Sequence, residues 1–235
     1  MFAFSRISDG LRQLFFPNNC LICGRSLVTG EDCICLMCMA ALPRTGFEKW
    51  RDNPTEKRFW GKVDVYSAFS AYYYRKGQPL SHMIHDFKYH NNRKIALYLG
   101  RQIGAMINKT QMSADYDCIV PVPLHSKKML IRGYNQCTLL AQGASEVCGL
   151  PIDESILVRA KHSVSQTKKN QETRITSLKD TFVITPEAER RVGLRVLLLD
   201  DVLTTGATLE SCCNALSIIP NVRIGIVTLG IANSD

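Results

Sequence analysis

Hydrophobic positions along the 235-residue chain change period repeatedly, and the changes outline helices alternating with strands. Val196 to Leu199 is an unbroken apolar run, the pattern of a central parallel strand covered on both faces. Tyr116 to Val122, Ile156 to Ala160, Thr181 to Ile184, Leu194 to Asp200 and Val222 to Ile231 are read as strands. Leu80, Met83, Ile84 and Phe87 recur at helical spacing, and a second helix follows from Ile95 to about Ile107. A third is entered from Arg132–Gln136 and runs to about Cys148, and a fourth carries Leu209, Cys212, Cys213 and Leu216. This alternation predicts an α/β domain with a parallel sheet. Val63 to Tyr74 alternates loosely and predicts one or two strands forming a flap, whose aromatics either pack on the core or stack on bases. Near the N-terminus Ile7, Leu11, Leu14 and Phe15 share one face, predicting a short amphipathic helix packed on the body.

Breaks in the pattern divide the chain. Residues 44 to 62 are polar and turn-rich and read as a linker. The expected division is a helix and cysteine-rich ribbon over 1–45, a linker over 46–62 and the α/β domain over 63–235. Pro121 and Pro123 cannot pair in a central strand, so a rigid loop forms at a strand's carboxyl end. Lys161 to Lys179 holds four lysines and one arginine, Arg174, with almost no large apolar residue. A loop of that kind inside a compact domain is often functional, for example as a lid.

Composition narrows the class. Apolar residues make up 46% of the chain, enough for a sizeable core, yet no segment reaches the roughly 20 apolar residues of a membrane span. Arg6, Asp9 and Arg12 interrupt the N-terminal apolar stretch, so it does not read as a secretory signal. Five of ten cysteines are scattered through apolar contexts as small hydrophobes. With no signal they point to the cytoplasm. The net charge of +8 suits nucleic acid, membrane surfaces or phosphorylated small molecules alike and does not choose among them.

Chemistry is densest after the apolar run. Asp200 and Asp201 follow it at the strand end, where open α/β sheets place their ligand crevice. Thr204, Thr205, Gly206, Ala207 and Thr208 then lead into a helix, whose first N–H groups and neighbouring hydroxyls make an anion site. A phosphate in the turn and sugar hydroxyls on the two carboxylates would together hold a phosphorylated ribose. A plain helix cap accounts for one threonine but not for three, nor for the acidic pair. That reading needs a cavity beside the turn and carboxylates not wholly consumed by protein cations.

Cys20-Leu-Ile-Cys23 and Cys35-Leu-Met-Cys38 are two C-x-x-C units eleven residues apart. Two such knuckles can turn four thiolates toward one structural Zn²⁺. A redox dithiol or an iron–sulfur centre is the rival reading, and Cys33 could replace Cys35.

The stretch Val196 to Thr208 resembles the phosphoribosyl-pyrophosphate (PRPP) signature of type I phosphoribosyltransferases, with every position filled. The order of a four-cysteine ribbon, Phe87-Lys-Tyr, Val120-Pro-Val-Pro-Leu-His, Arg132-Gly-Tyr-Asn-Gln, Gln166-Thr with Arg174, and the acidic loop resembles the bacterial ComF family, associated with natural transformation. The lysines Lys168 and Lys169 depart from its pattern. The resemblance implies a type I phosphoribosyltransferase-like parallel sheet with helices on both faces, plus a small N-terminal zinc ribbon built on four cysteines. It implies that Asp200 and Asp201 bind the ribose hydroxyls and that Thr204 to Thr208 hold the 5′-phosphate. Val120, Pro121, Val122 and Pro123, with Lys88 and Arg132, would face pyrophosphate and its Mg²⁺, and Asn135, Gln136 and Arg174 would complete the substrate-binding set. Implied partners are PRPP, single-stranded DNA and other DNA-processing proteins. The implied activity is a glycosyl (phosphoribosyl) transfer to an unknown acceptor, or a non-catalytic sensing role.

Overall fold

The structure is a computed structural model that describes residues 19–160 and 182–232. The expected N-terminal helix and the basic loop with Arg174 lie outside the described residues. Four strands, β1 (Ser67–Tyr74), β2 (Cys118–Pro121), β5 (Arg195–Leu203) and β6 (Arg223–Ala232), form one parallel sheet in the order β1-β6-β5-β2. Ile152 adds a parallel bridge beyond β2 at Ile119. A separate antiparallel pair joins β3 (Leu157–Arg159) to β4 (Phe182–Ile184). Val196 to Leu199 is wholly buried, as the unbroken apolar run requires.

The helices are α1 (Leu36–Ala40), α2 (Pro54–Lys57), α3 (Pro79–Tyr89), α4 (Arg93–Lys109), α5 (Ser126–Arg132), α6 (Gln136–Cys148), α7 (Pro186–Glu189) and α8 (Ala207–Leu216). From β1 the chain crosses by α3 and α4 to β2, and from β2 by α5 and α6 outward to Ile152. From β5 it returns by α8 to β6, in the opposite direction. Right-handed crossovers running in opposite directions put their helices on opposite faces, so α4 and α6 cover one face and α8 the other. The connections diverge between β2 and β5, which makes the carboxyl ends of those strands the crevice of the sheet.

Helices α4 and α6 touch backbone to backbone. A Cβ on Gly100 would lie 2.2 Å from the Leu140 carbonyl oxygen, one on Gly104 2.4 Å from that of Ala144, and one on Gly143 2.1 Å from that of Leu97. The spacing of Gly100 and Gly104 puts both on one side of α4, so the axes approach more closely than any side chain allows.

The segment predicted to be a linker is packed against β1. Phe47 and Phe59 are buried in the core, and so are the polar residues Asn53, Thr55 and Glu56. Asn53 Nδ2 donates to the Ala68 carbonyl (2.8 Å) and Glu56 Oε1 accepts from the Ala68 amide (3.1 Å). Thr55, Ser70 and Thr228 link their hydroxyls at 2.9 and 2.7 Å. Asn53 and Glu56 satisfy backbone groups that an open sheet edge would leave unpaired, and the hydroxyl chain satisfies its own buried members. The Cys-rich ribbon covers the same edge, since the Tyr73 amide donates to Pro43 O at 2.8 Å and the Thr45 amide to Ala71 O at 3.1 Å.

Two expectations are corrected, and one element is new. Val63 to Tyr74 forms no flap: its apolar alternation belongs to β1, an edge strand of the main sheet with Tyr72 buried. Strand β5 does not stop at Asp200 but continues to Leu203, because β6 still pairs with it there. Ser126–Arg132 makes a short helix that its exposed Leu130 and Ile131 concealed, and it ends at Gly133 in the left-handed region.

Gly143→Ala is expected to lower stability by about 1–3 kcal/mol through overpacking. At about 2–4 °C per kcal/mol for a chain of this size, a thermal melt would read the loss. An unchanged melting temperature would contradict the backbone contact.

Candidate active site

The β2–β5 ladder closes at Pro121 opposite Leu199, with the Val122 amide donating to Leu199 O at 2.9 Å. Beyond it β5 is paired by β6 alone, Asp200 lying opposite Thr228. The two aspartates therefore occupy the side of β5 that β2 has vacated. The Lys88 ammonium lies 2.6 Å from Asp201 Oδ2. Asp200 Oδ1 accepts from the Asp201 amide (2.8 Å) and from the Cys137 thiol (3.3 Å). Burial, then the Asp201 charge, push the Asp200 carboxyl up to about 6. Burial alone would lower the Lys88 ammonium, but the Asp201 carboxylate outweighs it and raises it. Burial beside the acidic pair holds the Cys137 thiol well above its ordinary value, so it stays a donor.

Two motifs that are distant in sequence interlock to aim Lys88. The Tyr134 hydroxyl donates to the Phe87 carbonyl. Arg132 Nη2 donates to the Tyr89 hydroxyl at 3.1 Å, with its guanidinium 4.9 Å from the Tyr89 ring centre. Arg132 Nη1 also donates to Gln136 Oε1 at 2.8 Å. Gln136 is buried, and its Nε2 has no hydrogen-bond partner among the described residues.

Beside the acidic pair, Thr204, Thr205, Ala207 and Thr208 are exposed around buried Gly206. Gly206 sits at φ +90° as the N-cap of α8, a conformation that L side chains rarely adopt. Its far side rests on Phe59, and Arg58 donates to Thr204 O (3.3 Å) and Ala232 O (3.1 Å). Arg58 and Phe59 went unrecognised in the sequence because nothing local marks a polar segment as the backing of a loop some 146 residues away. A concavity of about 40 Å³ lies in the turn, lined by Asp200 and residues 202–209.

A cleft of about 750 Å³ opens at the end of β2, between α5 and β3. Pro121, Pro123 and Asn135 line it, joined by His125, Lys127, Glu154, Leu157 and Arg159. Asn135 caps α6 through the Cys137 amide (3.1 Å) and donates to Val122 O (3.0 Å), fixing the proline loop to the helix. Val120 and Val122 turn into the core. Glu154 and Arg159 carry no motif in the sequence and reach the cleft only through the fold of β3.

Cys20, Cys23, Cys35 and Cys38 bring their sulfurs within 4.8 Å of one another, a set that could hold a zinc ion. The Cys35 amide donates to Cys20 Sγ (3.3 Å) and the Cys38 amide to Cys35 Sγ (3.4 Å). Burial opposes ionisation of Cys20, but backbone donors outweigh it and draw the thiol down to about 6. Cys33 lies outside the cluster, and burial pushes its thiol up to about 11, so the structure places Cys35 in the fourth position.

No protein-family model matches the chain. It is 32% identical over 142 residues to Competence protein F of Haemophilus influenzae, covering 59% of this chain and 62% of that protein, less than two thirds of its length. It is 30% identical over 220 residues to DNA utilization protein YhgH of Salmonella typhi, covering 87% of this chain and 92% of that protein. The chain belongs to the ComF family. A solved structure of the allosteric regulatory enzyme of purine biosynthesis aligns with 60% of this chain and 29% of its own, at 16% identity and a TM-score of 0.37. No helix among the described residues is long and apolar enough to cross a membrane.

Because the folded Asp200 carboxyl is raised to about 6, its ionisation opposes folding progressively as pH rises through that value. Asp200→Asn is expected to melt above the wild type at pH 7.5, by on the order of 2 kcal/mol, with the gap closing toward pH 4. A gap independent of pH would refute the raised carboxyl. At the cluster, Cys23→Ser is expected to lose one zinc equivalent by elemental analysis, whereas Cys33→Ser keeps it. The reverse result would assign the metal to Cys33.

Proposed function

We propose that the chain binds PRPP and transfers its phosphoribosyl group to an acceptor seated in the large cleft. The observation that carries this reading is the acidic pair in the crevice between β2 and β5, with the threonine turn on one side and the cleft on the other. The exposed Thr204 to Thr208 turn, at the start of α8, would hold the 5′-phosphate through hydroxyls and first-turn amides. Lys88 engages Oδ2 of Asp201 and leaves Oδ1 for a ribose hydroxyl. Pro121, Pro123 and Asn135 would shape the passage from the sugar to the acceptor, with Arg132 and Gln136 toward pyrophosphate.

In the transfer, the bond from the anomeric carbon to pyrophosphate breaks with its electron pair leaving on oxygen, and an acceptor lone pair forms the new bond. Positive groups such as Lys88 stabilise the charge that develops. Mg²⁺ fits this donor set through the substrate, since the oxygen ligands at hand are two aspartates and one already holds Lys88. When bound, it neutralises charge on the leaving pyrophosphate. The four-cysteine ribbon holds a structural zinc and braces the β1 edge. The relatives' names tie them to competence and DNA utilization, and we extend that role to this chain, acting in the cytoplasm.

A second reading keeps PRPP or nucleotide binding without catalysis and adds single-stranded DNA. It is favoured by exposed rings paired with cations, Arg223 4.2 Å and Arg51 5.3 Å from the Tyr66 ring and Lys57 5.5 Å from that of Trp60.

Calorimetric titration with Mg²⁺ and PRPP is expected to saturate, and to weaken at least about tenfold in Asp200→Asn/Asp201→Asn, each lost charged hydrogen bond contributing roughly 1.5–3 kcal/mol. Unchanged binding in that variant would remove the donor site. Pyrophosphate release on adding bases, amines or oligonucleotides separates the two readings, the non-catalytic one releasing none.

A further inference from the structure

Three of the chain's five histidines fall within residues 82–90, in the pattern His82-x-x-His85-Asp86-x-x-x-His90, and the ribose site uses none of them. His85, Asp86 and His90 cluster at the C-terminal end of α3, each offering a ligand atom within 4.8 Å of the others. Asp86 Oδ1 and His90 Nδ1 are 3.0 Å apart, and the His85 and His90 ring centres 5.1 Å apart. Two ligands at about 2.1 Å from one tetrahedral ion lie about 3.4 Å apart. The first pair, at 3.0 Å in a hydrogen bond, lies within about 0.4 Å of that spacing, and rotation of an exposed imidazole brings in the third ligand. An i, i+4 ion pair holds His90 to Asp86, and an i, i+4 stack on Tyr89, with ring centres 4.8 Å apart, holds His85 beside them, so all three ligand atoms are already gathered at one turn. The site also sits at a helix C-terminus, where the backbone carries partial negative charge and favours a cation. The nearby Arg132 charge is drawn onto the Tyr89 ring.

We propose that His85, Asp86 and His90 form a second, solvent-accessible metal site for a divalent transition ion of the zinc or nickel class, separate from the cysteine cluster. Two imidazoles and one carboxylate select these ions over magnesium and calcium, and leave at least one position for water. The ion clamps the last turn of α3 to the residue that caps it. That turn carries Lys88, so the site is placed to stiffen the presentation of Lys88 to Asp201. The metal site itself does not depend on the donor reading.

The test is Zn²⁺ titration of the purified full chain, followed by calorimetry. The wild type is expected to take up one equivalent more than His85→Ala/His90→Ala. His82→Ala keeps that equivalent, because His82 lies outside the cluster with its Nε2 on Gly77 O at 3.2 Å. Asp86→Asn is expected to weaken the extra equivalent about tenfold. Equal stoichiometry in the wild type and the double variant overturns the site, and unchanged affinity in Asp86→Asn overturns the three-ligand set. His85 and His90 are exposed, and matching melting curves check that the variants fold. His85→Gln/His90→Gln serves as the second variant should the alanines fail to fold.

Discussion

Two adjacent carboxylates in β5, just past the end of its ladder with β2, carry a cost that the surrounding structure must offset. Asp201 is offset by one ammonium at 2.6 Å, and Asp200 by a raised affinity for its proton and by two donors, an amide and a thiol. Lys88 reaches that position only because the end of α3 is tied down by Tyr134 and Arg132 from the next motif. Removing the acidic pair would leave a buried cation and an idle interlock, and removing the interlock would leave an unpaired acidic pair. Strand end, helix end and loop form one electrostatic unit.

The glycine contacts between α4 and α6 serve the same unit from beneath. Helix α6 begins at Gln136, and Cys137 must lie close under β5 to donate to Asp200. Helix α4 leads directly from the Lys88 turn. These two helices, one following the Lys88 turn and the other carrying Cys137, pack backbone to backbone.

On the opposite flank the ribbon and residues 46–62 close the β1 edge with backbone and side-chain bonds. The same segment sends Arg58 and Phe59 beneath the Thr204–Thr208 turn. An edge cover and a loop support are thereby one piece of chain, which explains why a polar, turn-rich stretch buries Asn53, Thr55 and Glu56.

Elements with a strong local signal were legible from the residues alone. The unbroken apolar run announced a central strand, helical spacing announced α3 and α4, and the acidic pair with its threonine turn announced the strand-to-helix bend at the start of α8. Two C-x-x-C units announced the cysteine cluster, since that spacing turns thiols inward within a few residues. Tertiary structure alone decided that Cys35 rather than Cys33 completes the cluster, that Lys88 meets Asp201, and that Val63 to Tyr74 is an edge strand. It alone brought Arg58, Cys137, Glu154 and Arg159 to the crevice. The division has a physical reason: hydrophobic period and short motifs are set by neighbours a few residues apart. Which charge meets which, and which surface backs a loop, depends on the order of strands and on how closely helices pack, and no local pattern encodes either.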